Sequence, residues 1–495
     1  MALIPRGDCG TNPNWQPTVT AYTTANTDQQ MSSWWNSLLS TPHTFFANEL
    51  GKSFGSHVNS FECGIGDSGS CIAPGCSAYQ DAGDPVWAFQ ALMSVVNLNT
   101  LFNSIYTGIS NGQQDFTDLS DQIALTFFPW KNPKFPFGDA AFWINAIISI
   151  LFSIIPGISV PLKSGLTALT KAGVQQAEYS LQPAAPSNNY QTLLQMQEYA
   201  ATFGQTSRAT VESWANDTFA GREDSQNHTI LDYLAGGAYI ENTNIPSNSE
   251  IESFYKTQMI SRTINAQWRT QKIFVTFTKT NNTNDTSGPA QTKYYSSQDG
   301  GVYYTYFYHE DGVLRGHIDK PWGLDNLNGS LYNITGTDIT KASARAFKIG
   351  GFNFTRDMAF QQIEESVSSN GTLTPYLDGA SWTGTWTIPV CDIGTHQWNT
   401  QYGKNGSRYG MLPCCCGPNC TDTATFVKAA NMNNFQTLLR GCKEQLKDTD
   451  LDFNAIEYGF TLKHTCALGW AVSPIWKRVV GVILFPFTFW YVCIA

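Results

Sequence analysis

Charge is what this 495-residue sequence has little of. Lys, Arg, Asp and Glu make up 14% of it, against roughly 25% in an ordinary globular protein. The 29 basic residues are outnumbered by 39 acidic ones, for a net charge of −10. That balance excludes a nucleic-acid partner, which needs clustered Lys and Arg against phosphate. It also excludes simple electrostatic attachment to anionic lipid, so any membrane contact has to be driven by apolar surface. Several catalytic signatures are missing too: there is no Gly-rich phosphate loop, no HExxH and no paired acidic motif of a glycosidase. No cofactor is expected, and nothing favours an enzyme. Cysteine is absent between Cys76 and Cys391, and no Asn-x-Ser/Thr sequon occurs before residue 216.

What is present falls into blocks. Cys9, Cys63, Cys71 and Cys76 precede residue 80; Cys391, Cys414, Cys415, Cys416, Cys420, Cys442, Cys466 and Cys493 follow residue 390. Both clusters sit in Gly/Pro-rich sequence, which reads as disulfide frameworks in an oxidising compartment. In "LPCCCGPNC" three successive cysteines point in different directions, which suits separate disulfide partners better than one zinc ion. Connectivity is not deducible, and without Cys493 the count is odd. Sequons begin at Asn216, Asn227, Asn281, Asn284, Asn328, Asn333, Asn353, Asn370, Asn405 and Asn419. These glycosylation candidates require accessible positions. The second half is therefore expected to carry sugars and the first to be bare, in an extracellular or cell-surface protein. "MALIPRGDCG" offers no signal peptide, so a preceding segment is expected to be missing from this sequence.

The first half reads helical. "NTDQQMSSWWNSLL" suggests a capping box at Thr27 and Gln30, with Met31, Trp34, Trp35, Leu38 and Leu39 forming one stripe. Asp84-Pro85 opens a helix carrying Phe89, Leu92, Val96, Asn99, Phe102 and Tyr106 on one face. "DFTDLSDQIALTFF" is a further helix, and others are expected over Tyr190–Phe203 and Thr210–Phe219.

Between Asp139 and Lys163 lie 23 uncharged residues. At about 1.5 Å per residue a helix of that length reaches roughly 35 Å, enough for a ~30 Å hydrocarbon layer. Pro156, Gly157 and Pro161 break it, and a more polar helical pattern follows. The span 140–181 therefore reads as an apolar helical hairpin. It could be a transmembrane helix, a buried core pair, or a pair stored for insertion, with Trp143, Ile147, Ile150, Leu151 and Ile154 as the candidate lipid contacts. The uncharged tail 479–495 after Lys477-Arg478 reads as an anchor, a lipid-anchor signal, or a misread exon end.

Strand character begins near residue 270 with "KIFVTFTKT". In "VYYTYFYHEDGVLRGHI", Asp311-Gly312 between β-rich runs is a hairpin signal. That hairpin gathers His309, Glu310, Asp311, His317 and Asp319, a set able to bind a divalent metal or act as acid and base; an ordinary turn with cross-strand, pH-sensitive histidines is the plainer account and the one expected. A helix is expected over Thr340–Val367, a strand with Trp382, Gly384, Trp386 and Ile388 on one side, and a helix near Asn431–Leu446. Trp382, Trp386, Trp398, Tyr303, Tyr304, Tyr306 and Tyr308 would stack sugars if exposed and fill a core if not. Gly66-Asp67-Ser68-Gly69 is similar to the nucleophile turn of trypsin-like proteases, but no suitably placed His precedes it. Its flanking cysteines make it a disulfide loop.

The fold expected is α+β: a helical N-terminal half with a central apolar hairpin, and a smaller antiparallel β-containing, disulfide-rich C-terminal half. Domains are placed at 1–225 and 226–476, with the tail at 477–495. The series "NWQPT…NTDQQMSSWW…FECGIGDSGSCIAPGC…DPVWAFQALMSVVNLNTLFNSIY", then an apolar hairpin and a sequon-rich, Cys-terminated half, resembles a group of uncharacterised secreted Cys-rich glycoproteins of filamentous fungi. More faintly it resembles toxin-like secreted fungal proteins. The resemblance implies secretion and no established catalytic residues. The function expected is a non-enzymatic, toxin- or effector-like surface glycoprotein meeting membrane lipid or a membrane-bound partner. The alternatives are a cell-wall carbohydrate-binding protein or hydrolase with a glycan partner, and a membrane-anchored surface protein.

Overall fold

The computed structural model describes residues 12–38, 45–55, 60–66, 70–73, 75–127, 189–223, 229–241, 247–310, 316–328, 331–355, 358, 384–396, 398, 402, 412–413 and 415–432. The chain is α+β. Its first half contributes helices α1 (Val19–Thr24), α2 (Thr27–Leu38), α3 (Phe46–Ser53), α4 (Cys76–Ala82), α5 (Val86–Phe127) and α6 (Asn189–Phe219). The second contributes α7 (Ile230–Leu234), α8 (Asn248–Thr270), strands β1 (Ile273–Lys279), β2 (Tyr294–Ser296), β3 (Gly301–Glu310) and β4 (Gly316–Asp319), then α9 (Leu324–Leu327), α10 (Gly336–Gly350), β5 (Val390–Gly394) and α11 (Thr423–Ala429).

The 42-residue α5 organises the helical layer. Two separate helices are expected on either side of its glycines, yet the structure runs straight through them. Gly108 and Gly112 lie where α8 crosses. A Cβ on Gly108 would come within 2.6 Å of Ile251 Cβ, and one on Gly112 within 2.8 Å of the Glu252 carbonyl oxygen. The glycines are contact points for a neighbouring backbone, and packing offsets their low helix propensity. The expected helices over 190–203 and 210–219 likewise join into α6, whose Gly204 abuts Gln113 of α5.

Every residue of α5 from Ala88 to Asn99 is buried, polar ones included. Buried amides need partners, and these find backbone. Gln90 Nε2 donates to the carbonyls of Asn14 and Gln16 at 3.0 and 2.9 Å. Asn97 Nδ2 donates to Tyr239 O at 2.8 Å. The Gly64 N–H donates to Asn99 Oδ1, and the Gly66 N–H to Asn103 Oδ1, each at 2.9 Å. These last two hold the loop closed by the Cys63–Cys71 disulfide.

The expected capping box on α2 does not form. Asn26 precedes the helix at φ 52°, and the Thr27 hydroxyl donates instead to Tyr22 O at 2.8 Å, tying α2 to α1. Met31 and Trp35 are buried as the stripe requires.

The sheet is mixed: three of its pairs are antiparallel, as expected, and one is parallel. β3 pairs antiparallel with β1 along one edge. On its other edge it takes β2 at Gly301–Tyr303 and β4 at Phe307–Glu310. β5 adds to β1 in parallel, with Val275 opposite Val390. Both faces are covered. Ile273, Val275, Phe277, Tyr303, Phe307 and Val390 face the helical core; Phe274, Tyr304, Tyr306, Tyr308, Cys391 and Ile393 face the Cys-rich C-terminal segment. The alternation is the period of two that a pleated strand imposes. The helical core joins residues from Trp15 to Val390, on both sides of the expected boundary at 225.

Two further elements differ in position. α10 spans Gly336–Gly350 and is followed by Gly351 at φ 57°, a conformation suited to glycine, so it stops well before Val367. The strand expected around Trp386 starts only at Val390. Upstream, the backbone is held by side chains from two helices. The Thr387 N–H donates to Asn265 Oδ1 at 3.0 Å, and the Ile388 N–H to Ser343 Oγ at 3.3 Å.

Among the described residues no helix is long and apolar enough to cross a membrane. The hairpin 140–181 with Trp143, Ile147, Ile150, Leu151 and Ile154 and the tail 477–495 lie outside the described residues; of the helix expected near 431–446 only Asn431 and Met432 are described, and neither is helical.

Candidate functional site

The far face of the sheet carries the sulfur chemistry. Cys391 of β5 bonds Cys416, and Cys415 bonds Cys420. Adjacent cysteines thus serve different partners, as their opposed directions require. Cys76 is also disulfide-bonded, to a cysteine outside the described residues. Cys9, Cys414, Cys442, Cys466 and Cys493 lie outside them. Gly417 at φ 78° lets the chain turn back, so that its N–H donates to Asp392 O at 2.7 Å. The Thr423 hydroxyl accepts from the Cys416 N–H at 3.0 Å. His396 lies within 4.8 Å of Cys415 and Cys420. Both sulfurs are joined to each other, and a metal binds thiolates, so this group offers one ligand as it stands.

The candidate aromatic rings are core on both faces of the sheet, Tyr303 and Trp386 toward the helices and Tyr304, Tyr306 and Tyr308 toward the Cys-rich segment. Tyr303, Tyr304, Tyr306, Tyr308 and Trp386 are buried. Tyr306 packs edge-on to Trp398 with ring centroids 5.4 Å apart and stacks with Phe274 at 5.7 Å. Their hydroxyls are satisfied within the fold: Tyr304 donates to Asp285 O at 2.6 Å and Tyr306 to Ser287 O at 3.2 Å. Burial pushes both hydroxyls well above the usual tyrosine range. A sugar-stacking platform therefore does not exist at these five rings; Trp382 lies outside the described residues. His309 and His317 are register partners across β3 and β4, with Asp319 opposite Phe307. Asp67, Ser68 and Asp311 fall outside the described residues.

One charged group was not legible in the sequence, because four separate elements supply it. Asp299, in the β2–β3 turn, receives Lys348 of α10 at 3.1 Å and the Tyr303 hydroxyl at 3.0 Å. Burial opposes ionisation of Asp299, yet hydrogen bonds involving Ser296, Lys348 and Tyr303 hold its carboxyl below the usual range. Asp392 of β5 is shifted the opposite way. Burial pushes it above the usual range, the Lys348 charge opposes, and the charges of Asp422 and Asp299 add. Lys348 Nζ also sits 5.4 Å from the centroid of the Phe277 ring. Divergent carboxylates can serve as acid and base. Here the ammonium and phenol both engage Asp299, so the group acts as a clasp between α10 and the sheet.

The sequons map onto surface. Asn216 on α6, Asn281 and Asn284 in the β1–β2 loop, Asn328 after α9, Asn333, and Asn353 after α10 are all exposed. Asn227, Asn370 and Asn405 lie outside the described residues, and Asn419 falls in a short turn, Pro418–Cys420. Where α5 ends, a hollow of about 500 Å³ opens between Gln122, Leu125, Asp325, Asn328, Leu331 and Tyr332.

No protein-family model matches this chain, and it matches no curated protein and no solved structure. Its function is argued from its own residues.

Proposed function

We propose that this chain is a disulfide-bonded glycoprotein of the extracellular space or cell surface, non-enzymatic, that contacts or inserts into membranes through the apolar segment 140–181. One observation carries the compartment: the six sequon asparagines whose exposure is described all lie exposed, on a body whose described cysteines are paired. Glycan transfer and disulfide formation both belong to the secretory route. The membrane limb is supported by the 23 uncharged residues that follow Asp139. With a net charge of −10, apolar burial is the force available. The resemblance to secreted Cys-rich fungal glycoproteins and toxin-like proteins agrees with both limbs.

Protein secreted from a eukaryotic host tests the reading. Peptide mass spectrometry should find hexose-bearing peptides at the exposed sequons, and dye-loaded phosphatidylcholine vesicles should leak. Ile148→Asp with Ile150→Asp should abolish leakage while leaving a folded, secreted protein. Bare sequons would remove the compartment argument. Intact vesicles would remove the membrane limb, and sugar-array binding without leakage would favour a carbohydrate-binding protein of the cell wall.

A further inference from the structure

The hollow at the end of α5 contains the most exposed large apolar side chain described. Leu125 is 76% exposed, two residues before the helix end at Phe127. A single exposed leucine is ordinary. This one is not alone: Gln122, Leu125 and Thr126, at helical i, i+3, i+4 spacing, form one wall, and Leu331, 37% exposed, lies across from them. The floor is Tyr332, which is buried and packs edge-on to Phe127 at 5.5 Å. The rim is polar, with Asp325, Asn326 and Asn328. Lys320 pairs with Asp325 on that side and neutralises it.

An apolar floor inside a rim of amides and a neutralised carboxylate suits an occupant with one apolar face and an edge of hydroxyls. A pyranose ring is such a group. The third rim residue supplies one: Asn328 begins the sequon Asn-Gly-Ser. Of the six sequon asparagines whose exposure is described, Asn328 alone lines this hollow.

We propose that an N-linked glycan on Asn328 folds back over the hollow and shields Leu125 and Leu331 from water. The proposal rests on the glycoprotein reading and adds a role for one sugar. The attached glycan needs no binding site of high affinity, because tethering keeps it at high local concentration. The Asn326 and Gln122 amides line the hollow and offer polar partners to its hydroxyls, while the Asp325 carboxylate is already engaged by Gln291 and Lys320. Asn216, Asn281, Asn284, Asn333 and Asn353 are not among the residues that line this hollow.

The test uses full-length secreted protein. Peptide mapping reads occupancy at each sequon. Asn328→Gln and Ser330→Ala each remove this glycan, by different substitutions. Both variants should raise emission of the dye ANS roughly two-fold or more, as an uncovered apolar patch does, without loss of the cooperative thermal transition. Adding Leu125→Ser to either should return emission to the wild-type level. Occupied Asn328 with unchanged emission in both variants overturns the shield. So does a bare Asn328 beside an occupied Asn281, which leaves the glycoprotein reading standing. Bare asparagines at every sequon overturn both.

Discussion

Lys348 reaches Asp299 at 3.1 Å while the buried Tyr303 donates its hydroxyl to the same carboxylate at 3.0 Å, so that one side chain joins α10, the β2–β3 turn and β3. Asp392 lies in the same field and is shifted the other way. The two carboxylates therefore have opposite signs in stability.

Asp299 ionises more easily folded than unfolded, so its stabilisation is present above the unfolded pKa of about 4 and is lost as pH falls through the lower folded value. Asp299→Asn should lower stability at pH 7 by about 1–2 kcal/mol, through a lost charge-assisted hydrogen bond. The deficit should close in acid, read as melting temperature across pH 3–8.

Asp392→Asn should behave in reverse. Its raised folded pKa means that the charged form opposes folding above the unfolded pKa, so the neutral amide should match or exceed wild-type stability at pH 7. A large loss at pH 7, with no loss in acid, would show that the ionised form is needed instead.

Gly112→Ala sets propensity against packing. In an open helix alanine gains about 1 kcal/mol over glycine. Here the new methyl meets the Glu252 carbonyl oxygen at 2.8 Å and the Lys256 nitrogen at 3.2 Å. We expect a net loss of about 1–3 kcal/mol, as overpacking gives, measured by denaturant midpoint.

Tyr306 separates core from platform. Tyr306→Phe removes one hydrogen bond, to Ser287 O, and should cost about 1 kcal/mol. Tyr306→Ala empties a buried site and should cost about 3–5 kcal/mol. Neither should alter any sugar-array signal in the folded fraction.

Asn99→Ala strands the buried Gly64 N–H, at a cost of about 1–3 kcal/mol. Because that bond anchors the Cys63–Cys71 loop, dithiothreitol should reduce this pair faster in the variant, followed by alkylation and mass spectrometry.

Periodicity made the main elements legible. The stripe of Met31 and Trp35, the helix opened by Pro85 and the β-rich run before Lys279 all appear as expected. What misled was local punctuation. Gly108 and Gly112 look like breaks until α8, more than a hundred residues away in sequence, is placed against them. Trp386 and Ile388 alternate as a strand would, yet Asn265 and Ser343 satisfy that backbone. Asp299, Lys348 and Asp392 carry no shared motif, since only the tertiary fold brings them together. Gln90 and Asn97, seven apart in an apolar run, were a usable signal for buried latches to backbone.

The glycine seam of α5 also imposes an order of events. Ile251 lies 143 residues after Gly108, so at about 5–20 residues per second roughly 7–30 s of synthesis separate the two halves of that contact. Through that interval the stretch Ala88–Asn99, buried at every position in the finished protein, lacks part of its cover. Slowing translation between the two should therefore raise the fraction lost to aggregation.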